Sequence, residues 1–428
     1  MPAPARGPPA RPACSSATAA PFRAPRTWRI PRDRAAAKPV RSDLAIPSAE
    51  RYGMDMAHIY DVAVLGHTPA GLAAACYLAG KKCDVAVVDA PALSAECPLA
   101  DWVPRTIFRI PGLPKGLAHQ AKALDFHRVC YHSADLTKEV EYRSRTAAGH
   151  FVQVATLIKA LHTAATKAGA KVRPSTTAPA IRLEEDHVEL IGSRRTVARF
   201  LLIAQSRPND VLGELALPLR AVPSASVLVA GLDVPLPARK AGLRNLANAL
   251  HVVELRERSE LGAFFLTDSV VHLRVISNSV ASGTRAAELS GMVSGLQQAG
   301  RLPTDLPLGR AKGAVWSPPA GVALELESHV AKRCLLTGTA GGFVESITGQ
   351  SLAPSIRSAI LAADVLLEAM ASDEPQDTLM KYKTSWRRSL ADYLRPPNTS
   401  LHMLLPLLFV NQRIVAKFTR ALLYGENI

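Results

Sequence analysis

From Tyr60 onward the chain alternates short, wholly apolar runs with longer stretches whose apolar residues recur at helical spacing. The apolar run at 61–65, the stretch 69–78 and a second apolar run at 84–88 predict strand, helix and strand in a compact βαβ opening. Runs apolar on both faces belong to strands covered on both sides, so this opening predicts a parallel sheet. The next sixty residues contain prolines and show no clear period. Order resumes in "HFVQVATLIKALHTAATKAGAKV", where Val154, Leu157, Ile158 and Leu161 follow helical spacing and Gly169 is placed to end the helix. Strands are predicted at 180–183, 187–191 and 197–204, the last holding the apolar "FLLIA" of a central strand.

Residues 225–330 change character. Short runs such as "ASVLVAGLDV", "HVVELRE", "AFFLTD" and "VVHLRVIS" alternate apolar with polar positions, which predicts an antiparallel sheet distinct from the first unit. "TRAAELSGMVSGLQQAG" reads as one amphipathic helix within that region. After the apolar "RCLLTGTAGGF" a helix is predicted from near Pro354 through "SIRSAILAADVLLEAM", with the proline in its first turn. The C-terminus reads as helical and basic, and its longest apolar run, "LLPLLFV", is too short to span a bilayer.

The 428 residues suffice for two or three domains, or for one large α/β unit with an inserted sheet. The net charge of +15 is uneven: residues 1–53 hold ten Lys/Arg against three Asp/Glu, leaving +8 for the rest. No basic stripe interleaved with aromatics follows, which argues against a nucleic-acid partner. The same tail is rich in Pro, Ala and Arg without hydrophobic period, and reads either as a disordered, transit-peptide-like extension or as sequence ahead of a translation start at Met54 or Met56. The six cysteines form no C-x-x-C and no metal-ligand spacing, which fits a reduced, cytoplasmic chain. Cys76 and Cys334 read as buried thiols, and Cys97 as the one loop thiol worth testing for reactivity.

One turn carries candidate chemistry. In "YDVAVLGHTPAGLAAACYLAG", Gly66 and Gly71 occupy the first and third glycine positions of G-x-G-x-x-G, and Thr68 stands at the second. The helix beginning at Pro69 and Ala70 offers unpaired N–H groups to a phosphate, and the Thr68 hydroxyl is a further candidate donor. Asp89, 23 residues after Gly66, lies where an acid would bond the ribose of an adenosine. Among acid–base candidates, His127, Tyr131 and His132 form the densest cluster, while His272 and His329 read as structural.

With two further stretches, "VARFLLIAQSRPNDVLGELALP" and "KRCLLTGTAGGFVESITGQSLAPSIRSAILAADVLLEA", the turn falls in the order seen in the FAD-dependent oxidoreductases of the aromatic hydroxylase and geranylgeranyl reductase type. The chain resembles that superfamily from about Tyr60 to its end. The family's third motif reads roughly G-D-A-A-G-F-x-x-P-x-x-G-x-G, and Gly338, Ala340, Gly342, Phe343 and Gly349 match it. The chain departs at Thr339, where the family has an acid that holds the ribityl chain, at Gln205-Ser206 in place of Asp-Gly, and at Val154 in place of an Arg.

The resemblance implies an α/β fold: a Rossmann-like FAD-binding domain with a parallel sheet, an inserted and mostly antiparallel substrate-domain sheet, and C-terminal helices. It implies a division into a tail at 1–55, the opening βαβ at 56–95, a connecting segment at 96–150, FAD-binding segments at 151–218 and 331–371, the substrate domain at 219–330 and C-terminal helices at 372–428. It implies FAD held by Gly66, Thr68, Pro69, Ala70, Gly71, Asp89, Gly338, Thr339, Ala340 and Gly349, and a reductase or monooxygenase reaction on a small organic or lipid-like substrate, with NAD(P)H as a candidate electron donor. The helix after the third motif would face the flavin pyrimidine and the pyrophosphate. "YKTSWRRSLADYLRPP" and the helices after it resemble elements of isoprenoid-reducing relatives, and would pack on their own domain, close over a lipid-like substrate or touch a membrane surface. The alternative reading is a non-catalytic binding protein that keeps the fold and has lost or weakened FAD binding.

Overall fold

The computed structural model describes residues 58–89, 99–206, 215, 227–236, 243, 246–255, 260–267, 269–277, 285–396 and 401–426. The tail with Met54 and Met56, and the loop with Cys97, lie outside the described residues. Strands and helices are numbered in chain order.

The first apolar run forms β1 (Ile59–Leu65), the helix α1 (Pro69–Gly80) and the next run β2 (Val85–Asp89). β1 pairs in parallel with β2 on one side and with β11 (Arg195–Ile203) on the other, setting Val62 opposite Phe200 and Val64 opposite Leu202. The sheet extends through β8 (Lys171–Pro174) beyond β2 and through β18 (Cys334–Leu336) beyond β11, both parallel. Antiparallel β9 (Ala180–Leu183), β10 (Val188–Ile191) and β17 (Val330–Ala331) complete eight strands.

α1 is buried on nearly every side because it lies between the sheet and two helices, α2 (Val154–Ala168) and, from the chain's third motif, α4 (Leu352–Met370). Gly169 ends α2 in the left-handed conformation, as its position predicts. α5 (Pro375–Leu394) packs on α4 through Leu379, Tyr382, Trp386 and Leu390.

The connecting stretch, which shows no period in sequence, contains β3 (Ala100–Pro104), β4 (Leu124–Phe126), β5 (Arg128–His132), β6 (Glu139–Arg143) and β7 (Gly149–Gln153). Strands of three to five residues are too short to register a repeat. β3, β7 and β4 form a small antiparallel sheet. β5 and β6 join β12 (Leu228–Pro235), β13 (Ala249–Glu254), β14 (Glu260–Leu266), β15 (Val270–Ser277) and β16 (Lys312–Trp316) in a seven-stranded sheet, antiparallel except for the β13–β5 pair. One face of this sheet is covered by α3 (Arg285–Gln298), through Leu289, Met292, Val293 and Leu296. The other packs on the three-stranded sheet and on α6 (Leu401–Leu408) and α7 (Gln412–Tyr424). Among the described residues, no helix is long and apolar enough to cross a membrane.

Candidate functional site

The turn between β1 and α1 is tight. Gly66 has φ +119°, and a Cβ there would lie 2.7 Å from the Gln205 amide nitrogen. A Cβ on Gly71 would lie 2.3 Å from the Gly66 carbonyl oxygen. Both glycines therefore admit neighbouring backbone, and neither position accepts a side chain without displacing it. Thr68 is fully buried and caps α1: its Oγ1 accepts from the Gly71 N–H at 3.2 Å and donates to the Ala204 carbonyl at 2.6 Å. An extended backbone at φ −102° suits its β-branched side chain. The hydroxyl's single proton is thus engaged inside the protein, so the expectation that it donates to a phosphate gives way to a capping and latching role.

The third motif is latched to the same place. Thr339 Oγ1 donates to the Gln205 carbonyl at 3.1 Å. Gly338, at φ +60°, abuts α1, and a Cβ on it would lie 2.9 Å from that of Ala70. Its amide donates to Ser358 Oγ at 3.1 Å, and Ser358 in turn lies 2.8 Å from Thr337 Oγ1. Gly342 (φ +71°) closes against the Ala323 amide, and Gly349 (φ +72°) against Pro318 and Val227. Phe343 and Trp386 pack around His329, whose Nε2–H donates to the Gly341 carbonyl at 2.9 Å. Burial holds His329 down at about 4, as a structural histidine requires.

Sequence separations of more than 130 residues therefore collapse at one point, where Thr68 meets Ala204, Thr339 meets Gln205 and Gly338 meets Ala70. Among the described residues, the amides of Ala70 in α1, of Ala340 in the third motif and of Leu352 at the start of α4 have no hydrogen-bond partner. Unsatisfied N–H groups at helix starts and in a glycine turn are donors suited to a pyrophosphate. The chain fits a dinucleotide through these main-chain groups, while the threonine hydroxyls are directed to protein carbonyls. The backbone of Asp89 closes β2 opposite Pro174; its side chain lies outside the described residues. Val154 opens α2 and is buried in the apolar core.

A second constellation, which no sequence motif marks, lies where the seven-stranded sheet meets the third motif. Arg274, 2% exposed, donates from Nη1 to Asp233 Oδ1 at 3.0 Å and from Nη2 to the Ala100 carbonyl, and its guanidinium lies beside the Phe265 and Trp316 rings. His272 Nδ1 lies 2.9 Å from the same Asp233 oxygen. Burial works against the Asp233 carboxylate, but His272 and Arg274 more than offset it and hold its pKa below the usual range. Next to Arg274, Asp101 accepts from Gln350 Nε2 at 2.6 Å and from the Trp102 N–H at 2.9 Å. Burial pushes the Asp101 carboxyl up to about 6 against the pull of Arg274 and of these hydrogen bonds. Glu345, in the same loop as Gln350, accepts from the amides of Ile347 and Thr348, both at 2.7 Å, and burial raises its pKa.

The cluster His127, Tyr131 and His132 does not act as one group. Alternation along β5 sends Tyr131 to α7, where its hydroxyl meets Thr419 Oγ1 at 2.7 Å, and His132 to the opposite face, 3.0 Å from His251. Cys76 and Cys334 are buried thiols, as expected. No group of residues with metal-ligand geometry occurs among the described residues.

No protein-family model and no curated protein matches the chain. Solved structures match it across most of its length. A geranylgeranyl bacteriochlorophyll reductase-like protein from Thermoplasma acidophilum is 15% identical, with a TM-score of 0.62 over 86% of this chain and 97% of that one. The p-nitrophenol 4-monooxygenase PnpA from Pseudomonas putida is 12% identical, with a TM-score of 0.61 over 85% and 97%. The halogenase PltM, crystallised with phloroglucinol and FAD, is 16% identical, with a TM-score of 0.56 over 78% and 73%. At such identities the likeness is one of fold: a Rossmann-like parallel sheet, an added antiparallel sheet and C-terminal helices.

Proposed function

We propose that this protein is an FAD-dependent oxidoreductase acting on a small organic substrate. The reading is carried by the convergence of Gly66–Gly71, Ala204–Gln205 and Gly338–Ala340, with unpartnered amides at Ala70, Ala340 and Leu352 around the point of contact. Those amides would hold the pyrophosphate and the flavin pyrimidine, Asp89 would bond the ribose, and Gly66, Pro69, Gly71, Gly338 and Gly349 would shape the turns, with Thr68 and Thr339 latching them together. Bound flavin would supply hydride and electron chemistry, and the seven-stranded sheet would wall the substrate cavity. NAD(P)H as electron donor is part of the proposal.

A lipid-like substrate is supported by the C-terminal helices. Met403, Leu407 and Val410 are exposed there, at 69%, 45% and 83%, next to the exposed basic residues Arg413, Lys417 and Arg420. That combination suits peripheral contact with an anionic membrane. Sedimentation with anionic but not neutral liposomes, lost in Val410→Ser with Leu407→Ser, is the expected result; equal sedimentation of the double variant would contradict it.

The second reading, a binding protein without flavin, is favoured by one observation: the hydroxyls of Thr68 and Thr339 both point to protein carbonyls, and Thr339 stands in place of an acid. The absorption spectrum of the purified protein, with and without added FAD, separates the two. A flavin band, or a thermal shift on adding FAD, supports the oxidoreductase; a colourless protein indifferent to FAD supports the binding protein.

A further inference from the structure

Among the described titratable side chains near the motif residues, Asp101 has no assigned role and a free oxygen. Asp101 is half-buried, although its strand neighbours Ala100, Trp102 and Val103 are all buried. Oδ1 is held by Gln350 and by the Trp102 amide, while Oδ2 has no hydrogen-bond partner among the described residues. Gln350 directly follows Gly349 and stands two residues before α4. Its Oε1 is buried without a hydrogen-bond partner. Buried polar atoms are normally paired, so this amide oxygen, on the side chain bonded to Asp101, together with the uncommitted Oδ2 marks a place that a polar group of a bound molecule would complete.

The charges around this carboxyl come from every element packed on it. Arg274 of β15 favours the carboxylate and Asp233 of β12 opposes it, with His272 held against the same Asp233 oxygen as Arg274. Burial, with Glu345 and Asp101 nearby, disfavours the phenolate of Tyr393 of α5, so Tyr393 stays a neutral phenol. The result is a carboxyl that can change protonation near neutrality while its position is fixed by two hydrogen bonds.

We propose that Asp101 is the acid–base residue of the site, exchanging a proton with the bound molecule through Oδ2 while Gln350 orients that molecule. The inference rests on the FAD reading. Bound flavin would supply or take up the hydride; the Asp101 carboxylic acid would give its proton to the neighbouring substrate atom in a reduction and regain one from water, and the Asp101 carboxylate would take that proton in an oxidation.

The flavin reports on this group without a known substrate. Titration of the FAD-loaded protein from pH 5 to 8 is expected to shift the visible flavin band with one midpoint near 6. The isosteric Asp101→Asn keeps an oxygen for Gln350 and is expected to retain stoichiometric flavin and lose the transition, and Asp101→Glu to recover it at a displaced midpoint. Flavin bound with no transition in the wild type, or with the transition surviving in Asp101→Asn, would overturn the assignment alone. A wild type that takes up no flavin would instead overturn the FAD reading, and the assignment with it.

Discussion

The two places where candidate chemistry collects differ in how their polar groups are satisfied. Around α1 each motif glycine admits a neighbouring group, and the hydroxyls of Thr68, Thr339 and Ser358 are bonded within the protein. Beside Arg274 the opposite holds: Asp101 Oδ2 and Gln350 Oε1 are left over at a junction of buried charge. The region that resembles a cofactor motif is therefore mainly a packing junction with spare backbone amides, and the spare side-chain chemistry lies beside it, on β3 and in the loop before α4. Fold-shaping residues and reacting residues are separable here, which is why matching glycines say more about architecture than about reaction.

Substitutions that attack packing at the motif junction should have the largest effect. Gly71→Val places branched carbon against the Gly66 carbonyl and is expected to abolish folding, seen as loss of soluble protein. Gly338→Ala combines a left-handed backbone with a 2.9 Å approach to Ala70, and should cost about 2–4 kcal/mol in urea unfolding. Pairing it with Ala70→Gly should recover the part due to contact; no recovery would show that the two motifs are not in contact.

At the charged junction, Arg274→Met strands Asp233 without its cation, and a loss of about 3–5 kcal/mol at pH 7 is expected, because an unpaired charge stays buried. The effect should shrink at low pH as Asp233 is protonated. An equal loss at pH 4 and pH 7 would mean that Arg274 acts through packing alone.

Asp101→Asn should act in the other direction. Burial raises the folded-state pKa of Asp101 to about 6 from the ordinary carboxylate value of 3.8, so its stabilising share is complete below pH 4 and is lost as pH rises through 6. The Asn variant should be more stable than wild type at pH 8, by about 2 kcal/mol after allowing for partial exposure, with the difference closing below pH 4. Thermal melts across that range read the sign directly.

The smallest effect sharpens the role of Thr68. Thr68→Ala should cost about 1 kcal/mol through the lost cap, with Thr68→Ser recovering most of it. FAD affinity should change little, because the hydroxyl serves Ala204 rather than a phosphate. A tenfold or larger loss of affinity would return the hydroxyl to the cofactor.

Much of the first region is legible in sequence. Apolar runs locate β1, β2 and β11, Pro69 and Gly169 mark helix ends, and the glycines of the turns stand where backbones meet. The direction of a hydroxyl is not legible: Thr68 offers one proton, and only the approach of Ala204, 136 residues away, decides its acceptor. The second region is almost illegible. Arg274 bonds to Ala100 across 174 residues, and β3 carries Asp101 in a stretch without period. Nothing local to Asp101 or Gln350 announces that they meet. Strand alternation, in turn, separates Tyr131 from His132 although they are adjacent in the chain.

The central claim is that spare main-chain amides at the junction of three motifs suffice to hold FAD. The most direct test is the visible absorption spectrum of the purified full-length protein before and after addition of FAD and removal of excess by gel filtration. One flavin per chain, retained in Thr68→Ala, is the expected result. A protein that stays colourless after reconstitution and whose melting temperature does not move with FAD would contradict the account.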